Sequence, residues 1–373
     1  MTDGSAVIAN GNVYPVKSHL DEIGGYRLVT LLGSGGMGDV YFGVSPTADP
    51  VAVKVIKPHL VDGHQIRERF AGEVESLKMV FGSRVARLED ADPFGDPAWL
   101  AVEYIPGLTL KEFVEAREPL SAALGAMAGA MLASGLDKVH QGGLLHRDLK
   151  PQNIILGPTG PVLIDFGLAV LTEREHELTE TGVPVGTPAY MAPEQARGDK
   201  ELSPATDIYG LGATLVFALT GHTPYPGVKH HALLHHIADP NHLPDLTGVP
   251  VELETLVGAM LAFDPGARPD LSTVAARLLK VATGGGIAAA TARQNVVAET
   301  YDDTRNIAIP GALTDPVVDP HDLSGDDGAV EEDAAEPTPE EPVDKPEIVV
   351  VQRADLTWLI EKLRSQYARR STL

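Results

Sequence analysis

The feature that most limits how this chain can fold is a change of periodicity partway along it. Short alternating, β-branched runs dominate as far as Ile105, and long apolar runs of helical spacing dominate from Leu120 onward. Tyr26 to about Val44 reads as strand, glycine-rich turn, strand, and Val51 to Ile56 as a further strand. A helical pattern covers Ile66 to Val80, Trp99 to Ile105 is another strand, and Leu120 to His140 is Ala-rich and apolar, as suits a buried helix. Residues 205–220 and 251–281 carry the apolar density of packed helices, separated by Pro-, His- and Gly-rich connections. Strands first and helices afterwards predict an α+β, bilobed fold, with a small β-rich lobe at about 26–105 and a larger helical lobe at about 106–280.

The ends differ from this middle. Residues 1–25 contain Gly and Ser with weak periodicity and read as a flexible arm. Residues 281–347 read as a linker: from Asp315 to Glu347 about a dozen acidic residues face the single Lys345 among prolines, a composition too polar to bury a core. In residues 348–373, Ile348 to Val351 is apolar, and Leu356, Leu359, Ile360 and Leu363 follow helical spacing beside Trp358 and Tyr367. Such a tail either docks on a protein partner or packs back on the main fold. The formal net charge of −23 argues against a nonspecific nucleic-acid surface. No cysteine is present, which excludes disulfides, thiolate metal sites and cysteine nucleophiles. Apolar stretches such as Leu211 to Leu219 are too short to span a membrane, and the N-terminus lacks a secretory signal, so the expected location is cytoplasmic.

Several short motifs carry chemistry. In His146-Arg147-Asp148-Leu149-Lys150-Pro151-Gln152-Asn153, Asp148 can accept a hydroxyl proton, Lys150 can neutralise phosphoryl charge, and Asn153 can hold a divalent metal with a second carboxylate. Gly33-Ser34-Gly35-Gly36-Met37-Gly38-Asp39-Val40 lies between two strand patterns, where glycines let backbone N–H groups approach phosphate oxygens. Many hairpins carry glycine-rich turns, so this run alone decides little. Val51-Ala52-Val53-Lys54 places a lysine inside an apolar strand, where it needs an anionic partner. Asp165-Phe166-Gly167 follows Val162-Leu163-Ile164, putting a carboxylate at the end of a strand, a position suited to a magnesium ligand.

In this order and spacing the motifs resemble those of eukaryotic-type serine/threonine protein kinases of the bacterial, actinobacterial-like kind, over about residues 26–280. Lys150, two residues after Asp148, is similar to the serine/threonine branch rather than the tyrosine branch. The resemblance implies ATP and Mg²⁺, with Mn²⁺ as a substitute ion, and protein substrates bearing Ser or Thr acceptors. It implies that Lys54 reaches the α- and β-phosphates and pairs with Glu73; Glu75, about 200° round the helix, is the competitor. Asp165 and Asn153 would be the metal pair, and Asp148 the acceptor of the substrate hydroxyl proton. Leu32, Val40 and Ala52 would sandwich adenine, Glu103, Tyr104 and Ile105 would form the hinge with Val102 behind it, and Glu112 would touch the ribose. Thr187 would face the substrate and bond Asp148 and Lys150. Arg147 would pair with phosphorylated Thr179 or Thr181 in the segment before Ala192-Pro193-Glu194. Asp207 would hold the catalytic-loop backbone, and Arg268 would pair with Glu194.

Two other readings compete. A pseudokinase or scaffold would act through its acidic tail, and a small-molecule phosphotransferase would share the fold. The second has no need of a peptide-docking segment such as the one ending at Ala192-Pro193-Glu194. The histidines His222, His230, His231, His235, His236 and His242 are close enough in sequence to suggest a metal, but no cysteine or converging carboxylates support one.

Overall fold

The computed structural model describes residues 6–9, 12–15, 21–165, 188–303 and 307. The described residues all fall within the unit Met1–Leu313, and the expected acidic stretch from Asp315 and the amphipathic tail lie outside the described residues. Strands β1 (Ala6–Ala9) and β2 (Asn12–Pro15) pair as an antiparallel hairpin. The sheet of the small lobe contains β3 (Glu22–Ile23), β4 (Tyr26–Ser34), β5 (Gly38–Val44), β6 (Pro50–Ile56), β7 (Leu88–Asp92) and β8 (Trp99–Glu103) in the order β3-β4-β5-β6-β8-β7.

The expected arm over 1–25 is therefore corrected, because ordered pairing begins inside it. Gly24 and Gly25 both have positive φ and form the two-residue turn between β3 and β4. A Cβ on Gly24 would collide with the Trp99 ring, so this turn packs directly on the sheet. One face of that sheet buries Ile23, Tyr26, Leu28, Val51, Val53, Trp99 and Ala101 together. Helix α1 (His64–Leu77) turns Phe70, Val74 and Leu77 inward. Its Arg67 donates to the carbonyls of Val61, Pro93 and Gly95, which ties the helix to the β7–β8 connection.

The large lobe starts with β9 (Leu108–Thr109) and α2 (Leu110–Ala116), then α3 (Ala122–Gln141), a buried helix capped by the Ser121 hydroxyl. Strands β10 (Ile154–Gly157) and β11 (Gly160–Leu163) form a hairpin in a small sheet of order β11-β10-β9. After the undescribed 166–187 come α4 (Pro193–Ala196), α5 (Pro204–Thr220), α6 (His230–Ala238), α7 (Val251–Met260) and α8 (Leu271–Ala282). Helix α5 is buried along nearly its whole length and stops at Gly221, whose left-handed φ of 80° terminates it. Among the described residues no helix is long and apolar enough to cross a membrane.

The linker expected over 281–347 is corrected in its first part, since α9 (Ala289–Thr300) lies within it and packs against α3, β10 and β11. Its buried residues are Ala292, Val296 and Thr300, spaced by one helical turn. Small and β-branched residues make that stripe, so the sequence shows little amphipathic contrast there.

Candidate active site

Lys54 lies in the middle of β6, opposite Val40 on β5 and Leu100 on β8, and is 6 % exposed. A lysine so placed needs a counter-charge. It finds one across the cleft, where Lys54 Nζ lies 3.0 Å from Asp165 Oδ2. The β10–β11 hairpin delivers Asp165 two residues after its last strand residue, with φ at +56° turning the carboxylate toward the small lobe's lysine. Burial opposes ionisation of Asp165, but the charge and hydrogen bond of Lys54 outweigh it and hold the carboxyl below its ordinary value.

Here the expectation for Glu73 is corrected: Lys54 pairs with Asp165 and not with Glu73. Glu73 instead lines a cavity of about 490 Å³ with His140, Leu144, Leu145, Arg147 and Leu202. The physical reason is the placement of α1, which turns Glu73 toward the catalytic loop rather than toward β6. Glu75, the competitor, is exposed and bonded to Lys78 at 2.7 Å.

The catalytic-loop residues are fixed from beneath. Asp207, in the first turn of α5, accepts hydrogen bonds from the backbone N–H groups of His146 and Arg147, each at 2.8 Å, and its Oδ2 is 2.7 Å from His140 Nε2. Burial pushes the Asp207 pKa up, yet the His140 bond and nearby positive charge bring it below the ordinary carboxylate value. These bonds hold Arg147 at a φ of +63°, and Gln195 Nε2 donates to its carbonyl at 2.8 Å. A second anchor is the buried pair of Glu194 and Arg268, bidentate at 2.7 and 2.8 Å, with Thr206 donating to the same carboxylate.

Above these anchors Asp148 Oδ2 accepts from Lys150 Nζ at 2.7 Å and from Asn153 Nδ2 at 3.0 Å. The same amide nitrogen donates to the Asp148 carbonyl at 2.8 Å. Asn153 thus commits its NH₂ to Asp148, and its Oδ1 is the atom suited to a hard cation.

The glycine-rich turn falls between β4 and β5, with Gly35 N–H donating to the Gly38 carbonyl at 2.9 Å and Ser34 donating to Asp39. The glycines there differ in their reasons. A Cβ at Gly38 would collide with the Val55 carbonyl, so the sheet itself requires glycine, whereas a Cβ at Gly33 would meet nothing within 4 Å. The open space over Gly33 fits a phosphate approaching backbone N–H groups. Gly36 and Met37 complete the turn, and the Met37 carbonyl accepts from Lys57 N–H. Leu32 is exposed while Val40 and Ala52 are half-buried. Glu103 ends β8, and Ile105 turns inward onto Ala86 and Val162. Glu112, expected at the ribose, uses its Oε2 in the capping box of α2, accepting from Thr109 N–H at 2.8 Å and Thr109 Oγ1 at 2.9 Å.

Thr179, Thr181 and Thr187 lie outside the described residues. Sequence reasoning missed His140 and Gln195. The one histidine of α3, in its last turn, was the available signal for the first.

Residues 26–279 match the family described as protein kinase domain. The probable serine/threonine-protein kinase PkwA of Thermomonospora curvata is 42% identical over 262 residues, covering 70% of this chain and 35% of that protein. The serine/threonine-protein kinase AfsK of Streptomyces coelicolor is 38% identical over 264 residues, 71% of this chain and 33% of that protein. This chain thus spans about a third of the length of each of these two relatives. Among solved structures, the kinase domain of Mycobacterium tuberculosis PknI is similar with a TM-score of 0.55 and 25% identity, covering 70% of this chain and 97% of that one.

Proposed function

Because the chain belongs to the protein kinase family, whose members use ATP and a divalent metal to act on proteins, we propose that it is an ATP-dependent protein serine/threonine kinase. The observation that carries this is the Asp148 carboxylate, held by Lys150 and Asn153 on a loop whose backbone is pinned to buried Asp207. A carboxylate so fixed orients an acceptor hydroxyl and takes its proton as the oxygen attacks. Lys150 beside it neutralises charge on the transferred group and favours alcohol acceptors of the Ser/Thr kind. Lys54 and the backbone of residues 33–38 hold the phosphates, while Asn153 Oδ1 and the Asp165 carboxylate supply hard oxygen ligands for Mg²⁺. The bound Mg²⁺–nucleotide supplies the electrophilic γ-phosphate. Leu32, Val40 and Ala52 cover the adenine, with the backbone of Glu103 and Ile105 at its edge. By its place in the motif order Thr187, outside the described residues, would add a hydroxyl for the acceptor. A scaffold without catalysis has no need of Lys54, Asp148, Asn153 and Asp165 together.

The test is phosphate incorporation from Mg-ATP into a Ser/Thr protein substrate by the full chain. Asp148→Asn should lower it by about 10²- to 10⁴-fold, and an Asp148→Asn rate equal to wild type would sink the assignment. The reading extends to regulation, in which phosphate on Thr179 or Thr181 is paired by Arg147. Intact mass before and after ATP, with the Thr179→Ala/Thr181→Ala double variant, should show phosphate gained at these positions and activity rising with it. No mass gain on wild type, or the same gain on the double variant, refutes that extension.

A further inference from the structure

The chain does not leave the fold at the end of α9. Two residues later Asp302 Oδ2 pairs with Arg117 NH2 at 3.2 Å, and Arg117 also lies over the Phe113 ring at 5.2 Å. These groups belong to the large lobe. Ile307, by contrast, packs half-buried against Val29, Phe42 and Val44 of the small-lobe sheet, with Tyr104 of the hinge against the same cluster. The Phe42 and Tyr104 rings meet edge to face at 4.8 Å.

Sheet register shows which face this is. Side chains alternate along β5, so Val40, Phe42 and Val44 share a face. Val40 is opposite Lys54, and Phe42 is opposite Ala52. Ile307 therefore sits on the face that carries Lys54 and Ala52, at its hinge-side end. A five-residue step from Asp302 to Ile307 reaches at most about 17 Å, so separation of the lobes at this edge is bounded while both anchors hold.

We propose that the patch of Val29, Phe42 and Val44 is a docking site for Ile307 of the chain's own extension, and that with the Arg117–Asp302 pair it tethers the lobes and slows nucleotide exchange. The nucleotide part rests on the kinase reading above; the docking part does not. The occupant is the chain's own segment because Ile307 is already seated there and Asp302 holds its root. An apolar side chain is the fitting occupant, since a carboxylate placed among Val29, Phe42 and Val44 would lose hydration without a partner from them.

The experiment compares the full chain with Ile307→Asp, Ile307→Leu, and the charge swap Arg117→Asp/Asp302→Arg. Hydrogen exchange of residues 26–44 reads docking, and release of a fluorescent ADP analogue reads the tether. Ile307→Asp should speed exchange in these strands and raise ADP release about fivefold, Ile307→Leu should stay near wild type, and the swapped pair should stay nearer to wild type than Arg117→Asp alone. Wild-type exchange in Ile307→Asp would overturn docking. Faster exchange with unchanged release would overturn the tether alone. A wild-type chain that binds no nucleotide would count against the kinase reading, while the exchange measurement would still decide whether Ile307 docks.

Discussion

The ionic groups under the catalytic loop and those facing the cleft are built differently. Glu194 has two bonds from Arg268 and one from Thr206, and Asp207 has two backbone N–H donors and His140. Lys54 has Asp165, whose side chain is 36% exposed. A buried charge with several directed partners has one arrangement, because any other leaves part of that charge unsatisfied in a low-dielectric setting. A charge at an open cleft with one partner can exchange it for a phosphate or a cation. Rigidity below and exchangeability above are what a phosphoryl-transfer site requires, since positioning supplies much of the rate and the ligands supply the missing charges.

Removing the lower pair should give the largest effect on folding. Arg268→Ala leaves Glu194 buried without its guanidinium, and the expected loss is about 3–5 kcal/mol of stability, measured by urea unfolding of the full chain. A loss below about 1 kcal/mol would break the contrast between the two regions. Lys54→Ala should act in the opposite sense. The Asp165 side chain is 36% exposed, so the partly buried carboxylate can take up water when Lys54 is removed and stability should change by less than about 1 kcal/mol, while phosphate transfer falls by about 10²-fold or more. Comparable unfolding midpoints with comparable turnover would refute its placement in the cleft.

Acid tests the lower region directly. The Glu194 pKa is set by burial, which raises it, and by Arg268 and Thr206, which together bring it below its ordinary value of 4.5. Because the folded value is below the unfolded one, the Glu194 contribution is fully present above the ordinary carboxylate range and is lost as pH falls through the depressed folded value. Asp207 behaves with the same sign. Unfolding free energy should therefore drop below about pH 4, and Arg268→Ala should show a shallower drop than wild type. Equal acid slopes would mean that Glu194 titrates normally in the folded chain.

The sequence brought the candidate catalytic residues together and left their partners obscure. Asp148, Lys150 and Asn153 fall within one octet, so local spacing alone brings them together, and the structure bonds all three. Lys54 declared its need for an anion by sitting in an apolar strand. Which anion answers it depends on how α1 docks, a tertiary property absent from the helix's own sequence; Asp165 answers and Glu73 does not. Helix α9 escaped notice because Ala292, Val296 and Thr300 bury small side chains against α3 and give little hydrophobic contrast. Gly24 and Gly25, read as part of a loose arm, define a turn whose tightness is evident only against Trp99.

Glu112 gives the smallest and most local test. A carboxylate near the cleft invites a ribose role, but its bonds to Thr109 satisfy the start of α2, with Glu112 N–H returning a bond to Thr109 Oγ1 at 3.1 Å. A reciprocal cap of this kind contributes about 0.5–2 kcal/mol. Glu112→Ala should lose that much stability and leave the KM for ATP within about twofold, since no binding free energy above about 0.4 kcal/mol is then at stake. Thr109→Ala should cost a similar amount, and the double variant should cost less than the sum, because each residue's cap needs the other. A large rise in KM with unchanged stability would move Glu112 from the scaffold to the cleft, and with it the line between the fixed region and the exchangeable one.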